Sequence, residues 1–545
     1  MSHSDQWGDR FSDEERTLLA PFVTDLDSSI FGLRNLPEVV KGALFSRYSR
    51  TDKSLRRILL DEFIQAPESG FAALVGGAAQ NNSSQLIATQ QAEAFYERVL
   101  IGYGDDSVAE LGGAHVALEG VSNIAAKALE DSRIGLSPLE KSTRYVAFNR
   151  KVEGRYRYHR PVELATSTHA AAYETAMDGL FDTYAALIEP TAAAVRARTP
   201  RDAQTSERAY LSATRAKALD LLRGLLPMAT YTNVGLFGNG RAFEYLLTKL
   251  YAADQSELRE LAVQLQSALD ALIPSFVKRA KNERGVAYQA YLRGGRTRVQ
   301  HVAEMHIEAN ASASHSSVTL ASFDIDAEQR VVAAILYTHS DAALEQIRTS
   351  ADQMSAAQRA DVLRAYVGER ANRFQRPGRA LEEARYSFDI LADLGAYRDL
   401  QRHRMLSQER QRYTFAHGYI TPAELIEAGL AGVYQQAIER ATAVYAVMLP
   451  NFPDAAQYAV PLACRVRWRM TMNLRELYHF AELRSAPQGH PTYRVIAQEM
   501  YKLVAAIHPS LSEGMRYVDM NDYALERLDA ERRLDTRLGV SRSAT

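Results

Sequence analysis

The chain has 545 residues, 46% hydrophobic and 24% charged, with 64 Lys and Arg against 66 Asp and Glu for a formal net charge of −2. That length predicts two large domains or two copies of one, since single domains run to roughly 100–200 residues, and the near-neutral balance argues against a dedicated nucleic-acid or membrane-surface protein. One cysteine, Cys464, excludes an intramolecular disulfide and a cysteine-built metal site. With a polar, acidic N-terminus and no apolar run of about 18 residues, the expectation is a cytoplasmic protein without a membrane partner.

In chain order, residues 1–27 are expected to be a polar tail. AHVALE (114–119), STRYVAF (142–148) and RYRYHRP (155–161) alternate or run β-branched and aromatic, which predicts short strands. SELRELAVQLQSALDALIPSFVKRAKN (256–282) repeats apolar residues at helical spacing. Residues 281–315, rich in Gly, Arg and Ser, are expected to be a linker arm, and His301, His306 and His315 share neither a helix face nor a zinc spacing, so no metal is expected. SVTLASF, RYSFDIL and QRYTF predict further strands, and ADVLRAYVGERANRF and PAELIEAGLAGVYQQAIERATAVYAVML predict helices. Residues 516–545 close the chain as a second tail.

Within this pattern the chain repeats itself. Pro227, Asn239 and Arg241 recur at the same spacing as Pro461, Asn473 and Arg475; the pairs Arg144-Tyr145 and Arg412-Tyr413 follow, each before a segment ending in proline, Pro161 and Pro422. Ordered landmarks recurring twice predict a tandem duplication, with repeats at 28–280 and 316–515. Helices with a few short strands predict an α/β (α+β layered) domain in each copy.

One stretch concentrates charge. From Arg398 to Arg412, fifteen positions hold five arginines and a histidine. Arg398 and Arg402, at i and i+4, would project from one helix face close to its C-terminus, where the dipole favours cations. That is compatible with a solvated helix end or with a phosphate site, because arginine forks bind phosphate bidentately. Cys464, in LACRVRWRM, reads as lying in an arginine-rich helix segment, either as an activated thiol or as a packing residue.

RHRMLSQERQRY (402–413) and TMNLRELYHFAELR (471–484) resemble the signatures of the flavin-dependent thymidylate synthase family. The resemblance implies two copies of that family's fold, helix-rich with a small, mainly antiparallel sheet in each. It implies reductive methylation of deoxyuridylate (dUMP) to thymidylate with FAD, NADPH and methylenetetrahydrofolate. It further implies that Arg402, His403, Arg404, Asn473, Arg475 and His479 hold FAD, and that Arg484 sits at the pyrimidine as the catalytic residue.

Each copy departs from the family. Repeat two lacks a clear second signature serine, and it has Glu383 in place of a histidine and Gln457 in place of an arginine. Repeat one has Asp131-Ser132-Arg133 where Arg-His-Arg should stand and Leu250 in place of the final arginine, yet LEKSTRY and RGLLP keep Glu140, Ser142, Arg144 and Arg223 for the nucleotide. The expectation is one composite site built from both repeats, in a homodimer that mimics the family tetramer. A scaffold that binds nucleotide or flavin without turnover, or a relative acting on another pyrimidine nucleotide, stays open.

Overall fold

A computed structural model describes residues 10–65, 109–307 and 317–539. Expectations that fall on 1–9, 66–108, 308–316 (His315 among them) and 540–545 lie outside the described residues. The chain divides into two compact units, one of residues 1–119, 132–139 and 234–308, the other of residues 120–131, 140–233 and 309–545. The units cut across the repeats, because a repeat is a unit of ancestry and a compact unit is one of packing. Seven strands are described: β1 (Gly113–Ser122), β2 (Leu136–Glu140) and β3 (Tyr231–Asn239) in the order β1-β3-β2, and β4 (Val318–Phe323), β5 (Arg385–Asp393), β6 (Leu406–Arg410) and β7 (Arg465–Asn473) in the order β4-β5-β7-β6. This helix-rich chain with two small sheets, the second of them antiparallel throughout, is the expected fold class.

In the first unit, the helix expected over 256–282 stops at Asp270 and resumes as a short turn at Pro274. Proline lacks the N–H and its ring clashes with the carbonyl four residues back, here that of Asp270. The expected linker arm is helical over Glu283–His306, started by Asn282, whose side chain accepts the Gly285 N–H (3.0 Å). A third helix of this unit, Gly240–Tyr251, buries Phe243, Leu246, Leu247 and Leu250.

The second unit holds one large core to which both repeats contribute. Tyr158, Tyr184 and Leu222 of repeat one pack in the same cluster as Tyr386, Trp468 and Tyr478 of repeat two, all 2% exposed or less. In β7, Val466, Trp468, Met470 and Met472 point into the core between Arg465, Arg467 and Arg469. That alternation has a period of two, so RVRWRM is a strand and not the helix expected around Cys464. Segments 142–148, 155–161 and 411–415 are not strands: Tyr158 makes one isolated bridge, to Thr230, and no ladder follows.

Equivalent backbone bonds mark the duplication. Asn123 N–H donates to Thr230 O (3.1 Å) and Leu394 N–H to Cys464 O (2.9 Å), while Lys141 N–H donates to Asn233 O and Gln411 N–H to Arg467 O, both at 2.9 Å. The two proline segments then pair with each other antiparallel about Pro227 and Pro461: Met228 N–H donates to Val460 O, and Leu462 N–H to Leu226 O, both at 2.9 Å. Such self-complementary pairing is what two copies of one surface make.

Candidate active site

The basic stretch begins at an elbow. β5 ends at Asp393, whose side chain accepts the Ala396 N–H (2.9 Å) and starts helix α1 (Leu394–Leu400). This short helix turns Arg398 and the residues after it inward. Arg398 is 4% exposed and His403 5%, so the stretch is not a solvated helix end.

Its counter-charges come from repeat one. Arg398 grips both oxygens of Glu140 and donates to Thr143 Oγ1 (3.0 Å). Arg402 Nη2 donates to Glu140 Oε2 (2.7 Å), and its Nε lies 3.4 Å from Glu130 Oε1. Lys127 pairs with Glu130 and, at 3.2 Å, with Glu140. Burial opposes ionisation of Glu140, but Arg398, Lys127 and Arg402 override it and hold its pKa far below the usual carboxylate value.

A second group adjoins the first. Arg144 forks onto Asp220 (2.9 and 2.7 Å) and donates to Gln488 O (3.1 Å), and its own N–H donates to Ser142 Oγ (3.2 Å). Arg223, 3% exposed, donates from Nη1 to Asp399 Oδ2 (2.9 Å). Asp399 feels Arg223, Arg402 and Arg144 together; against the cost of burial, they push its pKa far down. Arg484 acts on the same carboxylate. Four of the sequence-expected cations, Arg144 and Arg223 from repeat one and Arg402 and Arg484 from repeat two, therefore act on Asp399.

On the other side of Arg484, helix α2 (Leu474–Arg484) starts at Asn473, whose Oδ1 caps the Glu476 N–H (2.8 Å). Arg484 Nε donates to His403 Nε2 (2.9 Å). Arginine has no acceptor, so Nε2 accepts and the His403 proton sits on Nδ1, donating to Glu476 Oε1 (2.6 Å). Burial first, then Arg484 and Arg376, hold His403 well below its ordinary pKa, and burial with the nearby His403 brings His479 to about 4. Both rings are neutral at pH 7. Among the described residues Arg484 has no carboxylate within ion-pair distance; its other contact is the Tyr493 ring, 5.7 Å away.

Arg475 is bound to Pro377 O (3.0 Å) and Glu382 (3.2 Å), and Arg404 is exposed. Cys464 is fully buried and burial pushes its thiol pKa up, so it packs and does not attack. Sequence reasoning passed over Asp220, Asp399, Glu476 and Arg376. Their signal was available only in part: Asp399 lies in the basic stretch and Glu476 inside a quoted motif, whereas Asp220 and Arg376 meet the site only through the fold.

A family model described as thymidylate synthase complementing protein matches residues 66–275 and 319–510. A UPF0159 protein of Chlamydia pneumoniae is 43% identical, covering 96% of this chain and 98% of its own length. A UPF0159 protein of Thermoplasma acidophilum is 33% identical, covering 92% and 99%. A protein of Geobacter sulfurreducens named flavin-dependent thymidylate synthase is 29% identical over 24% of this chain and 61% of its own length. The double match fits a tandem duplication, and with three quarters of its length inside the two matched segments the chain belongs to the thymidylate synthase complementing protein family.

Proposed function

We propose that this chain is a flavin-dependent enzyme that methylates the uracil ring of dUMP to give thymidylate, with methylenetetrahydrofolate and NADPH as co-substrates. The reading places one composite site between repeat one (28–280) and repeat two (316–515). The observation that carries it is convergence: Arg144 and Arg223 from one copy, Arg402 and Arg484 from the other, all acting on one spot at Asp399.

In this reading Arg144, Arg223 and the Ser142 hydroxyl bind the nucleotide phosphate, a bidentate match for guanidinium. Glu140 orients Arg402 through its 2.7 Å bond. Arg484 lies over the pyrimidine. Its hydrogen-bond partner is a neutral imidazole and no carboxylate among the described residues lies within ion-pair distance, so its positive charge can stabilise negative charge developing on a ring nitrogen. Glu476 fixes the His403 tautomer, and His403 fixes the Arg484 side chain.

The residues present fit a flavin dinucleotide. Beside His403 and His479 stand Arg373 and Arg376, neither with a carboxylate within ion-pair distance among the described residues, and a diphosphate would add negative charge there. Arg402, His403, Arg404, Asn473, Arg475 and His479 would hold FAD, with Arg373 and Arg376 added to the set. FAD, when bound, supplies the hydride chemistry.

A second reading, nucleotide binding without turnover, has its own support: Arg144, Arg223 and Arg402 already carry internal carboxylates. The visible spectrum separates the two. The enzyme reading expects flavin absorbance in the purified or reconstituted protein and NADPH oxidation that requires both dUMP and methylenetetrahydrofolate; a protein that takes up no FAD refutes it. A homodimer is expected by light scattering at twice the chain mass.

A further inference from the structure

Asp399 stands where an anion would be held. It occupies the last turn of α1, where the helix dipole disfavours negative charge. What keeps it there is the ring of arginines, with Arg223 in direct contact at 2.9 Å and Arg402, Arg144 and Arg484 acting beside it.

The contact is incomplete. Arg223 uses one terminal nitrogen on Asp399; the other, Nη2, is buried and has no hydrogen-bond partner among the described residues. A buried guanidinium nitrogen left unpaired costs free energy until a second acceptor arrives. Gly395 leaves the fork its room, since a Cβ there would lie 2.9 Å from Nη2. The access is from the Asp399 side: its side chain is 18% exposed, against 3% for Arg223.

We propose that Asp399 is an internal counter-anion, which the phosphate of an incoming nucleotide displaces from Arg223. The proposal rests on the reading of this site as a nucleotide site and adds its charge selectivity. Exchanging Asp399 for another single carboxylate gains no charge. A phosphomonoester dianion brings a second negative charge and a second acceptor oxygen for the orphaned Nη2, so the site selects nucleoside monophosphates over nucleosides and over carboxylates.

The test is Asp399→Asn, which keeps the shape and removes the charge. Binding of dUMP, deoxyuridine and inorganic phosphate is measured by calorimetry on the full chain, alongside thermal melts. The proposal expects Asp399→Asn to bind dUMP and inorganic phosphate about tenfold tighter, to leave deoxyuridine unchanged, and to melt lower when free because Arg223 loses its partner. Asp399→Glu should restore weak phosphate binding. A folded Asp399→Asn protein that binds phosphate no tighter than the original overturns it. Should that variant fail to fold, the original chain decides: phosphate must raise its melting temperature where acetate at equal ionic strength does not, and equal responses overturn the proposal. If the pyrimidine reading alone is wrong, dUMP will bind no better than inorganic phosphate in both proteins while the effect of Asp399→Asn on phosphate persists.

Discussion

The helix Gly240–Tyr251 and α2 begin alike and end differently. Asn239 and Asn473 each cap their helix with a bond of 2.8 Å to the third N–H. Eleven residues on, repeat one has Leu250, 2% exposed in a core, and repeat two has Arg484, reaching His403 at 2.9 Å. Caps, elbows and proline pairings serve the fold and occur in both copies. In the proposed function the charged positions serve chemistry, and each copy keeps a different part. A duplicated chain is free to do this because a composite site needs each charge once, while each copy of the fold needs its own caps.

The largest expected effect tests whether the two repeats truly share one charge network. Glu140→Ala removes the carboxylate that repeat one lends to Arg398, Arg402 and Lys127, leaving Lys127 and Arg402 with Glu130 and taking from Arg398 its carboxylate partner in that group. Breaking a fully buried pair of this kind costs about 3–5 kcal/mol, read from the urea midpoint of the second unit. A stability unchanged within about 0.5 kcal/mol would mean the copies do not depend on each other here.

Next comes the exchange of fates at the helix ends. Arg484→Ala is expected to lower turnover about 10²- to 10³-fold, the usual cost of losing one electrostatic stabiliser, with the melting temperature close to the original. Leu250→Ala should do the reverse: about 2–5 kcal/mol of stability lost from a core position, and turnover of the folded fraction retained. Equal losses of activity in both would erase the distinction between a packing end and a chemical end.

How much of this was legible beforehand follows from the same distinction. The duplication showed in spacings, because Pro227, Asn239 and Arg241 and their counterparts are local landmarks. The basic stretch and α2 were legible for the same reason. The strands β3 and β7 were hidden: RVRWRM looks like a charged helix until its alternation is counted, and only the sheet supplies the apolar face that Trp468 needs. The pairing of Arg398 with Glu140, 258 residues apart, has no local signature at all. Nor did the sequence show that the repeat-one arginines are neutralised from within, since Asp220 reaches Arg144 across 76 residues and Asp399 meets Arg223 across 176.

A smaller effect is expected at Glu476. Glu476→Gln can present its amide nitrogen to His403 Nδ1 and so favour the other tautomer, in which Nε2 carries the proton and faces Arg484 as a donor. Losing a charge-assisted bond of this size is worth about 1.5–3 kcal/mol, so turnover should fall about tenfold or more with KM for dUMP little changed. A purely structural role for Glu476 would instead lower the melting temperature and leave kcat alone.

The smallest effect is a pH dependence carried by histidines, His403 and His479 on the Arg484 side and His490 beside Asp220. The folded chain holds His403 well below 6.5, His479 at about 4 and His490 at about 3, in each case chiefly through burial. An unfolded chain takes up protons at these positions as the pH falls through 6.5, while the folded chain does not. Stability is therefore full above pH 6.5 and declines from there toward pH 4. The carboxylates with depressed pKa values, Glu140 and Asp399, add their own loss only below about pH 4.5. Glu476 and Asp393, raised by burial, act against the histidines, so melts at pH 7.0, 6.0 and 5.0 are read as differences between variants. His490→Asn should flatten the slope most. Arg484→Ala should flatten it slightly, because Arg484 is one of the charges that hold His403 down, and without it the His403 pKa rises toward its unfolded value. Leu250→Ala should shift the whole curve to lower stability and leave its slope as it was; a change of slope there would show that the end of the repeat-one helix is coupled to the histidines after all.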